Sequence, residues 1–170
     1  MDQERIASSI SAVRRYLTEH PDKARSTDTP ATAVIESGLR CRVEGPNGWV
    51  VFSDMSKALG GNATAPSPGW LLRASHAACD AIVIAMRAAE EGIALSRLEV
   101  TVDSESDDRG LLGMDDGTPA GPLSTRVRIS IAAPGVSDER LREVVDWARE
   151  HSPVDGAVGH AVPLTVEVEA

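Results

Sequence analysis

Apolar residues recur at helical spacing in three stretches of this chain. Residues 2–19 carry them three or four positions apart, which predicts an amphipathic helix. The longest helix is predicted over residues 67–91, with the Ser67 side chain as its N-cap. A third helix is predicted over residues 137–151 and is expected to be ended by Pro153.

Short runs with alternating apolar and polar residues, separated by glycine- and proline-rich turns, predict β-strands. Three strands precede the long helix, two follow it and one closes the chain. Their predicted ranges are 31–36, 39–44, 49–54, 95–103, 126–132 and 162–168. This order lacks the strand–helix–strand alternation of a doubly wound sheet, so we predict an α+β fold with antiparallel sheets.

The predicted long helix is apolar around most of its circumference. Arg73, Asp80, Arg87 and Glu91 form one narrow polar seam along it. A helix of this kind is buried by the sheet, by a second subunit or by both. We therefore expect an obligate homodimer in which the two long helices are buried together.

Charge and composition narrow the classes of partner. The formal net charge is -9, which disfavours nucleic acid and anionic membrane surfaces, because both attract basic proteins. The apolar run over residues 81–89 is interrupted by Arg87 and is too short to span a bilayer. The amino terminus lacks the layout of a signal peptide, which predicts a cytoplasmic protein whose Cys41 and Cys79 are free thiols.

Familiar metal and cofactor motifs do not match. The acidic segment 103–108 lacks the glycine and glutamate of an EF-hand loop, and the four histidines form no HExxH or CxxC pairing. Gly60-Gly61-Asn62 matches neither phosphate-binding glycine motif. We therefore expect no cofactor and no metal.

Cys79 is the candidate for chemistry. A cysteine inside an apolar helix is most often an inert packing residue. Here His76 lies one turn earlier on the same face, where an imidazolium could favour the reactive thiolate. Asp80 directly follows Cys79 in the sequence.

The run from Pro68 to Cys79 resembles the signature of the OsmC/Ohr family of osmotically inducible and organic-hydroperoxide-resistance proteins. Gly60-Gly61-Asn62 resembles the family's glycine pair ahead of the central helix, and the order of elements agrees. The resemblance covers about residues 29–169. It divides the chain into a helical extension over residues 1–28 and an OsmC-like domain over residues 29–170.

The resemblance implies an intertwined homodimer with antiparallel sheets packed around a long buried central helix. It also implies thiol-dependent reduction of small organic hydroperoxides, with Cys79 as the peroxidatic residue and a thiol as the reductant. An arginine from the early strands activates the thiol in this family. Arg40 and Arg42 both lie in that region, and the sequence does not choose between them.

Two positions depart from the family pattern. Ser152 replaces the second, disulfide-forming cysteine, and Gly69 replaces the glutamate that steers the arginine. An external thiol, or alternatively Cys41, would then have to intercept oxidised Cys79. The departures keep open a different class of function, a non-catalytic module that binds a small hydrophobic ligand in the dimer cleft and keeps Cys79 for packing.

Overall fold

The computed structural model describes residues 3–169 and has a mixed α+β architecture. Asp2, the expected first residue of the amino-terminal helix, lies outside this range. Short 3₁₀ turns occupy Pro21–Lys23, Pro46–Gly48 and Lys57–Leu59. The helices and strands in chain order are α1 (Gln3–Glu19), β1 (Thr32–Ser37), β2 (Arg40–Glu44), β3 (Val50–Ser53), α2 (Pro68–Glu90), β4 (Arg97–Glu105), α3 (Asp108–Leu111), β5 (Ser124–Ala132), α4 (Asp138–Glu150) and α5 (Pro153–Gly159).

Residues 11–74 form one compact unit. Its sheet has the order β1-β2-β3 with antiparallel neighbours, which confirms the three predicted strands and their antiparallel arrangement. Arg42 of the middle strand pairs with Val34 on one side and Phe52 on the other. Ser67 caps α2 as expected, since its Oγ accepts the N–H of Trp70 at 3.3 Å.

The loop after β3 is organised around one buried carboxylate. Asp54 is 1 % exposed, and it accepts the backbone N–H groups of Met55, Asn62 and Thr64 and the Thr64 hydroxyl. These hydrogen bonds, above all that from the Thr64 backbone, lower the pKa of Asp54. A Cβ at Gly61 would lie 2.0 Å from the Met55 carbonyl oxygen, so this close approach requires glycine.

Residues 3–10 and 75–169 form the second unit. Its strands β4 and β5 pair antiparallel from Arg97↔Ala132 to Glu105↔Ser124. The inner face of α4 consists of Leu141, Val144 and Ala148, which are buried. They pack with the second half of α2 in a core of aliphatic side chains. The core residues are Ile84, Ala88, Ile93, Leu141, Val144 and Ala148.

The polar seam of α2 is less exposed than several of its apolar residues. Asp80 is 0 % exposed, whereas Ile82 is 59 % and Met86 is 38 % exposed. The seam continues at Arg87, which pairs with Glu91 at 2.7 Å. An ion pair therefore holds the end of the seam, while Ile82 and Met86 stay exposed.

The end of the chain departs from the prediction in two ways. α4 ends at Glu150, before Pro153 as expected, but Pro153 also begins the short helix α5, which was not predicted, because proline suits the first turn, where no N–H bond is needed. Residues 162–168 form no strand within residues 3–169, and Val162 and Leu164 are 65 % and 86 % exposed. An alternating apolar pattern gives a strand only where a neighbouring strand supplies hydrogen bonds.

The long acidic loop after β4 also differs in detail. The strand continues to Glu105, and the short helix α3 follows it. Asp107 caps α3 by accepting the Arg109 N–H at 3.0 Å, and its pKa falls to about 2 chiefly because of the side-chain hydrogen bond from Arg109. None of the described helices is both long enough and apolar enough to cross a membrane.

Candidate functional site

The sulfur of Cys79 lies against Ser152, the N-cap residue of α5. The Ser152 hydroxyl donates a hydrogen bond to Cys79 Sγ across 3.3 Å. Ser152 Oγ in turn accepts the backbone N–H of Asp155 at 3.2 Å, the usual N-cap interaction. Because the oxygen already accepts this N–H, its own hydrogen is available to the sulfur, where a donated hydrogen bond stabilises negative charge.

His76 is buried beside two carboxylates. Its side chain is 3 % exposed, and its Nε2 lies 3.3 Å from Asp155 Oδ1 and 3.6 Å from Asp80 Oδ2. The other oxygen of Asp155 accepts the Arg149 Nε–H at 3.1 Å. Among the described residues, the recorded polar contacts of His76 Nε2 are thus with carboxylates, while the sulfur of Cys79 has Ser152 as its partner.

Asp80 has the least exposed side chain of the three residues His76, Asp80 and Asp155. Neither of its carboxylate oxygens has a hydrogen-bond donor within the described range, although both are buried. An isolated carboxylate is costly to remove from water, so a nearby positive charge is needed to keep it ionised. His76 Nε2, at 3.6 Å, marks the place where such a charge could lie.

Arg40 and Arg42 lie in the unit of residues 11–74, where both have acidic or hydroxyl partners. Arg42 Nε donates to Glu36 at 2.9 Å, and Arg40 Nη1 donates to Thr64 Oγ1 at 2.9 Å. The Arg40 guanidinium also lies 4.3 Å from the centre of the Phe52 ring. These contacts hold both arginines on the sheet, and the choice of an activating arginine stays a prediction.

The two departures from the family pattern have different surroundings. Ser152 occupies a position in direct contact with Cys79, which fits the place expected for a second cysteine. A Cβ at Gly69 would meet only Arg73 Nη1, at 3.9 Å, so a larger side chain has room there. Cys41 is a half-buried free thiol on β2.

The sequence-based reasoning missed Asp155 and Arg149. Arg149 and Asp155 lie 73 and 79 positions after His76, whereas helical spacing relates only residues within a few turns of one helix. A local signal was nevertheless present, because Ser152 followed three residues later by Asp155 has the form of a capping box. That pattern places a carboxylate in the first turn of a helix beside the position expected for the second cysteine.

Comparisons with known proteins agree on the family. The model of the OsmC-like protein family matches residues 60–167. No curated protein sequence matches the chain.

Several solved structures share the fold. An organic hydroperoxide resistance protein OsmC from Legionella pneumophila has 24 % identity and a TM-score of 0.57, with 79 % of this chain and 90 % of that chain covered. An OsmC-like protein from Mycoplasma pneumoniae has 16 % identity and a TM-score of 0.67, with coverages of 79 % and 89 %.

A third structure is of a putative organic hydroperoxide resistance protein from Vibrio cholerae with captopril bound in one of its active sites. It has 25 % identity and a TM-score of 0.54, with 80 % of this chain and 88 % of that chain covered. The family match spans more than half of the chain and includes α2, Cys79 and the α5 cap. The chain therefore belongs to the OsmC-like family.

Proposed function

We propose that this protein is a stress-associated thiol peroxidase that reduces small organic hydroperoxides through Cys79. The observation that carries the proposal is the 3.3 Å hydrogen bond from Ser152 to Cys79 Sγ. It pairs a half-buried thiol with a polar donor, in a family whose neighbours include hydroperoxide resistance proteins. An inert packing cysteine needs no such partner.

The chemistry is a nucleophilic displacement at oxygen. The Cys79 thiolate attacks the terminal oxygen of the hydroperoxide, an S–O bond forms and the O–O bond breaks. The alkoxide leaves with its electron pair and takes up a proton to become an alcohol, and Cys79 becomes a sulfenic acid. A first external thiol releases water and forms a mixed disulfide, and a second thiol displaces Cys79 as the free thiolate.

The surroundings of Cys79 support this step. Ser152 can stabilise the negative charge on sulfur by hydrogen bonding. A protonated His76 would offset the charges of Asp80 and Asp155, which otherwise oppose a thiolate nearby. Ser152 lacks sulfur, so the proposal requires an external thiol to complete the cycle.

We also propose that the working form is a cytoplasmic homodimer. Ala78, Ile82 and Met86 recur every four residues on the exposed side of α2. An apolar helix face of this kind is stabilised when a second apolar surface covers it. The exposed alternating segment 162–168 offers a further apolar surface to a second chain.

A non-catalytic OsmC-like module is the second candidate. The same exposed side chains, Ile82 and Met86, could line a cleft for a small hydrophobic ligand, with Cys79 kept for packing. The missing second cysteine and the glycine at position 69 favour this candidate.

One experiment separates the two candidates. Reduced Cys41→Ser protein, in which Cys79 is the remaining thiol, is mixed in a stopped-flow instrument with cumene hydroperoxide or hydrogen peroxide, and loss of free thiol is followed. We expect faster loss with the organic hydroperoxide, and a sulfenic acid on Cys79 that dimedone traps. Cys79→Ser is the control. An unmodified Cys79 at millimolar hydroperoxide would exclude the peroxidase.

A further inference from the structure

We propose that His76, Asp80 and Asp155 bind one divalent transition-metal cation of the Zn²⁺ type. The inference does not depend on peroxidase activity, because Cys79 is not one of the ligands. Each of the three residues offers one ligand atom, and these atoms all lie within 4.8 Å of one another.

The spacing of the ligand atoms fits a common ion. Ligands about 2.0–2.1 Å from a tetrahedral Zn²⁺ are roughly 3.3–3.4 Å apart. The distances from His76 Nε2 are 3.3 Å to Asp155 Oδ1 and 3.6 Å to Asp80 Oδ2. The two carboxylate oxygens lie within 4.8 Å of each other, so they would have to approach by up to about 1.4 Å to complete the set.

The burial of Asp80 is an independent reason to expect a cation. Its side chain is 0 % exposed, it is directed at His76, and both of its oxygens lack hydrogen-bond donors among residues 3–169. A first-row cation would satisfy at least one oxygen and neutralise the charge, as the usual pairing of buried charges requires.

The ligand set indicates the class of metal. One imidazole nitrogen with two carboxylate oxygens suits Zn²⁺ and neighbouring first-row ions, whereas Ca²⁺ and Mg²⁺ prefer sets made of oxygen. Three protein ligands leave a fourth position for water or another small ligand.

The site also has a support and an access path. Arg149 holds the second oxygen of Asp155 at 3.1 Å, and the Ser152 cap fixes its backbone. Such outer contacts orient metal ligands. A surface opening of about 350 Å³ lined by Asp146, Arg149, Glu150 and Asp155 leads to the partly exposed Asp155 carboxylate.

Calorimetric titration of the chelator-stripped full-length protein with Zn²⁺ tests the site. We expect one ion per chain, with affinity about 10-fold or more weaker in Asp155→Asn and in Asp80→Asn. Asp146 lines the same opening but is not one of the ligands, so the Asp146→Asn variant should bind Zn²⁺ as the wild type does. Asp155→Asn changes a partly exposed residue, and circular dichroism checks that each variant folds.

A Co²⁺ titration gives a second readout. The visible absorption of bound Co²⁺ should disappear in His76→Ala. It should persist in the control His151→Ala, which alters an exposed histidine that is hydrogen-bonded to the Trp147 carbonyl. Cys79→Ser should retain Zn²⁺ binding although it would abolish peroxidase activity, so the two proposals can fail separately. The proposal is overturned if the wild type binds no Zn²⁺, if Asp80→Asn and Asp155→Asn both bind unchanged, or if Cys79→Ser removes binding.

Discussion

At the scale of single residues, a hydroxyl occupies the place where a second thiol would complete a redox pair with Cys79. Ser152 Oγ is 3.3 Å from Cys79 Sγ, whereas a disulfide joins its sulfurs at about 2.05 Å. A modest side-chain rotation would close that difference. The local geometry therefore suits disulfide formation, and the oxygen of Ser152 in place of a sulfur prevents it.

Ser152→Cys should convert the protein to disulfide chemistry. With one equivalent of cumene hydroperoxide, and in a Cys41→Ser background, we expect a disulfide between position 152 and Cys79 that dithiothreitol reverses. Mass spectrometry after trypsin digestion identifies the linked peptides. Ser152→Ala is the control and should give only sulfenic or more oxidised Cys79. Absence of the disulfide in folded, oxidised protein would contradict the contact.

His76→Gln should slow alkylation of Cys79 near neutral pH by about three- to tenfold. The reason is that glutamine cannot carry the positive charge, as an imidazolium or through a bound cation, that would offset the repulsion of a thiolate by Asp80 and Asp155. Iodoacetamide trapping followed by mass spectrometry measures the rate, and His151→Gln is the matched control.

Variants Arg40→Ala and Arg42→Ala test the other candidate source of positive charge. A slower rate in only one of them would identify the activating arginine. Equal rates in these variants and in His76→Gln would leave the proposed activation without support.

At the scale of elements, α2 carries different interactions on its two sides. Ile84 is 0 % exposed in the core with Leu141 and Val144, while Ile82 two positions away is 59 % exposed. The same residue type therefore contributes to folding at one position and is available for association at the other.

Ile84→Ala should lower the free energy of unfolding by about 2–5 kcal/mol, because it removes buried methyl groups and leaves a cavity. Urea denaturation followed by circular dichroism measures the change. Leu112→Ala alters a side chain that is 56 % exposed, and it should change stability by less than about 0.5 kcal/mol. Similar losses in both variants would contradict the assigned core.

The loop around Asp54 should contribute to acid sensitivity. Hydrogen bonds lower the folded-state pKa of Asp54, so its stabilisation is complete above the unfolded value near 3.8 and is lost as pH falls through the lower folded value. Asp54→Asn should therefore lower the melting temperature at pH 7 and reduce its further fall toward pH 2. Asp28→Asn, in the exposed connector, should behave as the wild type does. A melting curve for Asp54→Asn that matches the wild type at both pH values would contradict this role.

At the scale of the whole molecule, the exposed apolar positions point to association. Ile82→Arg places a charge on the exposed side of α2 and should convert a dimer to monomers, because an unpaired charge is costly in an apolar interface. Multi-angle light scattering at micromolar concentration measures the mass. Glu139→Arg, on the exposed start of α4, is the control. A monomeric wild type would contradict the homodimer.

The sequence alone was enough for the class of fold and for the choice of Cys79 as the candidate reactive residue. Helical and alternating periodicities depend on which faces are buried, so α1, α2, α4 and the antiparallel strands followed directly from the pattern. Cys79 followed from the motif in which it lies. Boundaries shifted by at most two residues, because end residues depend on neighbouring strands and caps.

Tertiary structure decided what surrounds that residue. His76 and Asp155 are 79 positions apart and are brought to 3.3 Å only because α5 begins at Pro153 with Ser152 as its cap. Hydrophobic periodicity carries no information about such pairs, since polar contacts between distant segments leave no repeat in the sequence. The burial of the polar side of α2 was hidden for the same reason, because two of its partners, Arg140 on α4 and Asp155 on α5, lie far along the chain.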